Sequence, residues 1–184
     1  MKVSKHLLLK LALLFFLFPT FLAAQEEPSK LSGPVVKGIV EQFVSMHYSQ
    51  KPLDDVMSSK IFELYLNRLD PAHYYFLEDD VAEFRKYELR VDDLLRRGNA
   101  NLALDIFERF KTRLSERLAM MEEFMGEDFD FSVDANWTLE RTDQPYPKTT
   151  ADARKIWRTK IKFDLLTLKL GDTSLKEGKE RLMK

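Results

Sequence analysis

The stretch NRLDPAHYYFLEDDV, residues 67–81, places His73 within seven positions of Asp70, Glu78, Asp79 and Asp80. An imidazole among carboxylates is the material of general acid–base catalysis or of a metal site. A zinc site needs three or four protein ligands, so several of these acids would have to converge on one point. A plainer use accounts for the same residues. Pro71 disfavours helical geometry at Asp70 and so ends a helix there. Glu78, Asp79 and Asp80 fall where the first turn of the next helix favours negative charge. The expectation is a corner at Asp70-Pro71, with His73 capping or bridging backbone groups. Tyr74, Tyr75, Phe76 and Leu77 then plug the helix junction.

Other candidate chemistry is weaker. DFDFSVDAN, counted from Asp128, has Val133 and Leu139 where a calcium loop of the EF-hand type requires Gly and Glu. Asn136-Trp137-Thr138 fits a glycosylation pattern, which is too short to be specific. The nucleophile motif G-x-S-x-G is missing from the sequence, and Ser59-Lys60 are neighbours without a geometry that makes them a dyad. Absence of cysteine excludes thiol catalysis, thiolate metal sites and disulfides. His47 sits on the apolar side of a helix, as a structural histidine does. No catalytic, cofactor-binding or metal-binding residue is expected in this chain, and no cofactor.

Composition narrows the class. The 184 residues are 45% hydrophobic and 32% charged, with a formal net charge of −1. That balance offers no electrostatic footprint for nucleic acid. Lys2, Lys5 and Lys10 precede the apolar run Leu11–Phe18, and Ala23-Ala24 follow, the layout of a secretory signal peptide over residues 1–24. Removing it turns 29 basic against 30 acidic residues into 26 against 30, a net of −4. The expected location is periplasmic, with membrane contact only transient, through the signal peptide.

The elements that must position these residues read as all-α, an irregular bundle of about five helices. PVVKGIVEQFVSMHY aligns Val36, Ile39, Val40, Phe43 and His47 on one face. Across 53–69 the stripe is Met57, Ile61, Leu64 or Tyr65, and Leu69. A third helix over 77–99 carries Val81, Phe84, Val91, Leu94 and Leu95, and Gly98-Asn99 supply a left-handed stop. The longest helix, over 100–126, has Leu102 or Ala103, Ile106, Phe110, Leu114, Leu118, Met121 and Met125 on its apolar side. Its Arg109, Lys111, Arg113 and Arg117, interleaved with Asp105, Glu108 and Glu116, read as a solvated ion-paired face. From Gly126 to Thr149 no helical period exists. Alternation of Phe129, Phe131 and Val133 with polar residues suggests a long extended strap over an apolar surface. A fifth helix resumes with Thr150 as N-cap and Ile156, Trp157, Ile161 and Leu165 or Leu166 inside. The helical domain is expected over 25–170, and 171–184 as the start of a linker or further helix.

KIFELYLNRLDPAHYYFLEDDVAEF resembles the N-terminal helical region of the tail-specific, or carboxy-terminal processing, proteases, which are serine peptidases of the Ser-Lys class. The shared marks are Leu69-Asp70-Pro71, His73, Tyr75-Phe76-Leu77 and Asp80. HYSQKPLDD upstream and LERTDQPYPKTTADARKIWRTKIKFDLLTLKL downstream agree in order, so the resemblance covers about 31–170. It implies an exported, non-catalytic N-terminal scaffold or docking domain. The implied partners are downstream PDZ and protease domains, protein substrates and a periplasmic adaptor. The family's nucleophile and base have no counterpart in these residues, so the chain by itself is expected to be inactive. The competing expectation is a stand-alone periplasmic helical adaptor or chaperone-like binding module.

Overall fold

The computed structural model describes residues 32–46, 51–133 and 136–183; the segment 1–24, expected to be a signal peptide, and His47 lie outside the described residues. Among the described residues the fold is all helical. The elements are α1 (Gly33–Met46), α2 (Asp55–Leu69), α3 (Glu78–Arg85), a 3-10 turn (Glu88–Arg90), α4 (Val91–Arg96), α5 (Asn101–Met125), α6 (Thr150–Leu170) and α7 (Leu175–Leu182). None of these helices is long and apolar enough to cross a membrane.

Local chemistry sets the ends. Asp54 caps α2, its carboxylate accepting the Met57 N–H at 3.0 Å. Thr149, one residue before the expected cap, closes α6 by accepting the Asp152 N–H. Gly98 stops α4 at φ 73, and the Asn99 N–H returns to the Leu94 carbonyl. Side chains other than hydrogen are barred there twice over, because a Cβ would also collide with the Gly33 carbonyl at the start of α1.

The third helix expected from the sequence is three pieces. α3 stops at Arg85 and the 3-10 turn intervenes before α4. The break has a cause on α2. Buried Ser58 donates to the Asp92 carboxylate and accepts the Asp92 N–H, both at 2.8 Å, so it caps a new helix start at that point. The 3-10 turn is tied to α2 as well, because Ser59 donates to Glu88.

Two hydrophobic clusters form the core. One joins Phe62, Leu66, Phe76, Val81, Phe84, Val91 and Ile106. The other joins Met120, Phe124, Trp157, Ile161 and Leu165, with Tyr74, Tyr75, Phe129, Phe131 and Leu182 against it. α7 packs back on α6: Gly178 is buried beside Leu165 and Leu168, and Lys179 donates to the Glu127 carbonyl. The packed body therefore runs past residue 170. Residues 126–149 are a strap, as expected, but a bent one with no strand among its described residues. Phe129 and Phe131 seat on this chain's own second cluster.

Candidate functional site

The corner between α2 and α3 stitches the two clusters together, because Phe76 belongs to the first while Tyr74 and Tyr75 pack on the second. Its residues are consecutive, so the chain must reverse sharply, and it does so around buried polar groups. Asp70 is fully buried. Its carboxylate accepts the N–H groups of Tyr74 (2.7 Å), Tyr75 (2.9 Å) and Phe76 (2.9 Å). Burial pushes this carboxyl above the ordinary aspartate range, and the three N–H bonds offset that only in part.

Asp80 solves the same problem differently. It also accepts one N–H, from Leu77 at 2.9 Å, which fixes the entry to α3. Its other lone pairs go to arginines of α5. Arg113 makes a two-pronged contact at 2.7 and 3.0 Å, and Arg109 adds a bond at 2.5 Å. Burial alone would raise the Asp80 carboxyl; the bonds from Arg113, Leu77 and Arg109 outweigh it and hold it below the usual range.

Arg117 completes the corner. It is 0% exposed. Nε donates to the Tyr74 carbonyl at 3.4 Å and Nη2 to the Tyr75 carbonyl at 2.8 Å. The indole N–H of Trp157 reaches the same Tyr74 carbonyl at 3.0 Å. Burial holds the Arg117 guanidinium below its ordinary pKa, with Glu116 opposing. The solvated face expected for α5 is thus corrected. Lys111 and Glu108 are surface partners, whereas Arg113 is mostly covered and Arg117 is core. Carbonyls that a tight corner cannot pair with its own backbone require a donor from the next helix.

His73 adopts φ 53, a left-handed conformation that costs a non-glycine residue roughly 1 kcal/mol. The strap holds it there. Its ring stacks on Tyr146 with centroids 3.9 Å apart, and Nδ1 pairs with the Gln144 carbonyl. A carbonyl only accepts, so Nδ1 carries the proton. Beside it the Glu78 N–H donates to the Pro147 carbonyl. Burial drives the Tyr146 phenol up to about 12. Asp70 and Asp80 are the acids of the opening motif committed to buried roles; Glu78 and Asp79 stay exposed at the start of α3. Among the described residues no group of three His, Asp or Glu side chains is arranged to hold a metal.

The family model for the tail-specific protease N-terminal domain matches residues 39–184. The chain belongs to this family. The tail-specific protease of Haemophilus influenzae is 32% identical to it over 167 residues, covering 86% of this chain and 24% of the relative. This tail-specific protease N-terminal domain therefore spans about a quarter of the length of that curated relative. The corner just described falls wholly within the matched region. What pattern reading missed is the commitment of Arg113 and Arg117 to the corner. The available signal was Asp70-Pro71 followed by three aromatic residues, which demands donors for stranded carbonyls.

Proposed function

We propose that this domain is the non-catalytic scaffold and docking part of an exported Ser-Lys serine protease that processes or degrades periplasmic proteins from their C-termini. Family membership and the greater length of the relative support a part within a longer enzyme. The polar groups at the corner support a structural role. Asp70, Asp80 and Arg117 have their hydrogen-bonding capacity spent inside the fold, and a group so committed holds structure instead of moving protons.

The observation that carries docking is the face of α1. Val35, Ile39 and Met46 are 49, 57 and 73% exposed. Ile39 also lines a groove of about 390 Å³, together with Val40, Pro52, Leu53, Met57 and Ile61. A contiguous apolar surface on a folded domain marks a protein contact. The occupant we assign to it is the remainder of the protease chain. The lysines and apolar run at the N-terminus support export.

The test begins with the reading frame. Continuation past Lys184 into PDZ and Ser-Lys catalytic domains is expected, and a stop codon followed by an unrelated gene would favour a stand-alone adaptor. In the longer protein, Ile39→Asp should lower proteolytic activity and loosen the domain while leaving the melting of residues 25–184 nearly unchanged. Full activity in that variant would remove the docking role. Cleavage of peptides by residues 25–184 alone, with contaminants excluded, would remove the non-catalytic one.

A further inference from the structure

We propose that Arg141 binds a carboxylate from another protein segment, presented to it by the strap. The contrast with the other arginines of this region carries the inference. Arg109 and Arg113 share Asp80, Arg117 holds two carbonyls, and Arg154 and Arg158 pair with Glu123 and Glu127. The Arg141 guanidinium makes no hydrogen bond or ion pair among the described residues, and its Nε–H is shut away from solvent without an acceptor. Glu140 and Asp143, its neighbours on the strap, are exposed and do not pair with it. Leaving such a donor unmet is unfavourable, the more so for a charged group.

The guanidinium is nevertheless placed. It lies over the Tyr74 ring at 5.5 Å. That ring is locked by parallel stacking on Trp137 at 6.2 Å and by Trp157 on another side at 5.8 Å. Trp137 in turn stacks on Phe163 of α6. The Tyr74 hydroxyl has no acceptor among the described residues either. Two positioned donors on one aromatic shelf ask for an acceptor with two lone-pair faces. A carboxylate offers two parallel contacts to one guanidinium edge. Charge separates it from phosphate. Lys160 is paired with Asp164 at 2.5 Å and Lys162 is held by the Val133 carbonyl, so neither is drawn to the same point, and one guanidinium matches a single negative charge. An incoming carboxylate meets the Nη groups, which unlike Nε are not closed off, beside the exposed, non-helical strap residues 138–140 and 142–145.

Two carboxylate sources fit, an acidic side chain and a chain terminus. The test uses this chain labelled with nitrogen-15, at constant ionic strength, titrated with acetate, chloride and phosphate. N-acetyl-glutamate methylamide and N-acetyl-alanine then distinguish side chain from terminus. The readouts are the Arg141 Nε–H and Trp137 indole N–H resonances. Acetate should give saturable shifts that chloride does not. Binding read at Trp137 should be about tenfold weaker in Arg141→Lys, which keeps the charge and loses the fork, and weaker in Tyr74→Phe, which keeps the shelf. Equal responses to acetate and chloride, tighter binding of phosphate, or undiminished shifts in a folded Arg141→Ala would each overturn the proposal. So would an Nε–H that exchanges with water and ignores every carboxylate.

Discussion

The corner at residues 70–80 and helix α1 treat the same ingredients in opposite ways. At the corner a short irregular segment buries Asp70, Phe76 and Asp80 almost completely, and donors from α5 and α6 satisfy its carbonyls. α1 is regular and strongly amphipathic by sequence, yet of its residues only Val36 is buried. A 14-residue helix is marginal in water without packing on its apolar side. Regularity therefore does not mark the stable part of this molecule. Closure of polar groups does. The most irregular segment is the keystone, and the most regular helix is the one left open.

The sharpest way to break the comparison is to unfasten the keystone. Arg117→Met should destabilise the domain by about 3–5 kcal/mol, because two bonds from a charged donor are lost and the Tyr75 carbonyl is stranded, while Trp157 still holds that of Tyr74. Chemical denaturation would show it, and a loss under 1 kcal/mol would mean the corner closes without Arg117. Asp80→Asn ranks next, at about 3 kcal/mol near neutral pH, since two arginines lose their shared carboxylate. This loss should depend on pH. Asp80 titrates below its unfolded value, so its stabilisation is present above the ordinary aspartate pKa of about 4 and disappears as pH falls through the folded value. The gap between parent and variant should narrow in acid; a constant gap would contradict the ion-pair account. Asp70 runs the other way. Its raised value makes its contribution complete below the ordinary range and lost as pH rises through the folded pKa. Both proteins retain Asp70, so the difference between them isolates Asp80.

Trp157→Phe keeps an aromatic side chain but removes the indole N–H and part of a buried ring, for an expected loss of about 2 kcal/mol by thermal melting. Smallest of all should be Ile39→Asp in the chain alone, within about 0.5 kcal/mol, as for an exposed site. A collapse of the melt in that variant would place α1 in the core and erase the contrast.

Pattern reading found the helices because capping and periodicity are local. Asp54, Gly98 and Gly126 lie where their chemistry ends or starts a helix. It misplaced the buried line of α2 by one residue. Ser58, Phe62 and Leu66 are inside, flanked by Met57, Ile61 and Tyr65, while Leu64 is exposed. A serine breaks a hydrophobic stripe on paper, although in the fold it is a cap for α4. On α5 the same error has the opposite sign. Leu118 faces solvent and Arg117 the interior, because the corner brings carbonyls to that side of the helix. Both failures come from partners more than 30 positions away in sequence. The role of Asp70 was half legible. Asp70-Pro71 announces a turn, but three N–H groups converging on one carboxylate requires the turn's geometry.

Amide hydrogen exchange on the chain alone tests the contrast most directly. The N–H groups of Tyr75 and Phe76 should be among the slowest, opening only with global unfolding, while those of residues 41–46 on α1 should exchange through local opening far faster. Equal protection of α1 and the corner, or fast exchange at Tyr75 and Phe76, would contradict the claim that the closed polar corner holds this domain together.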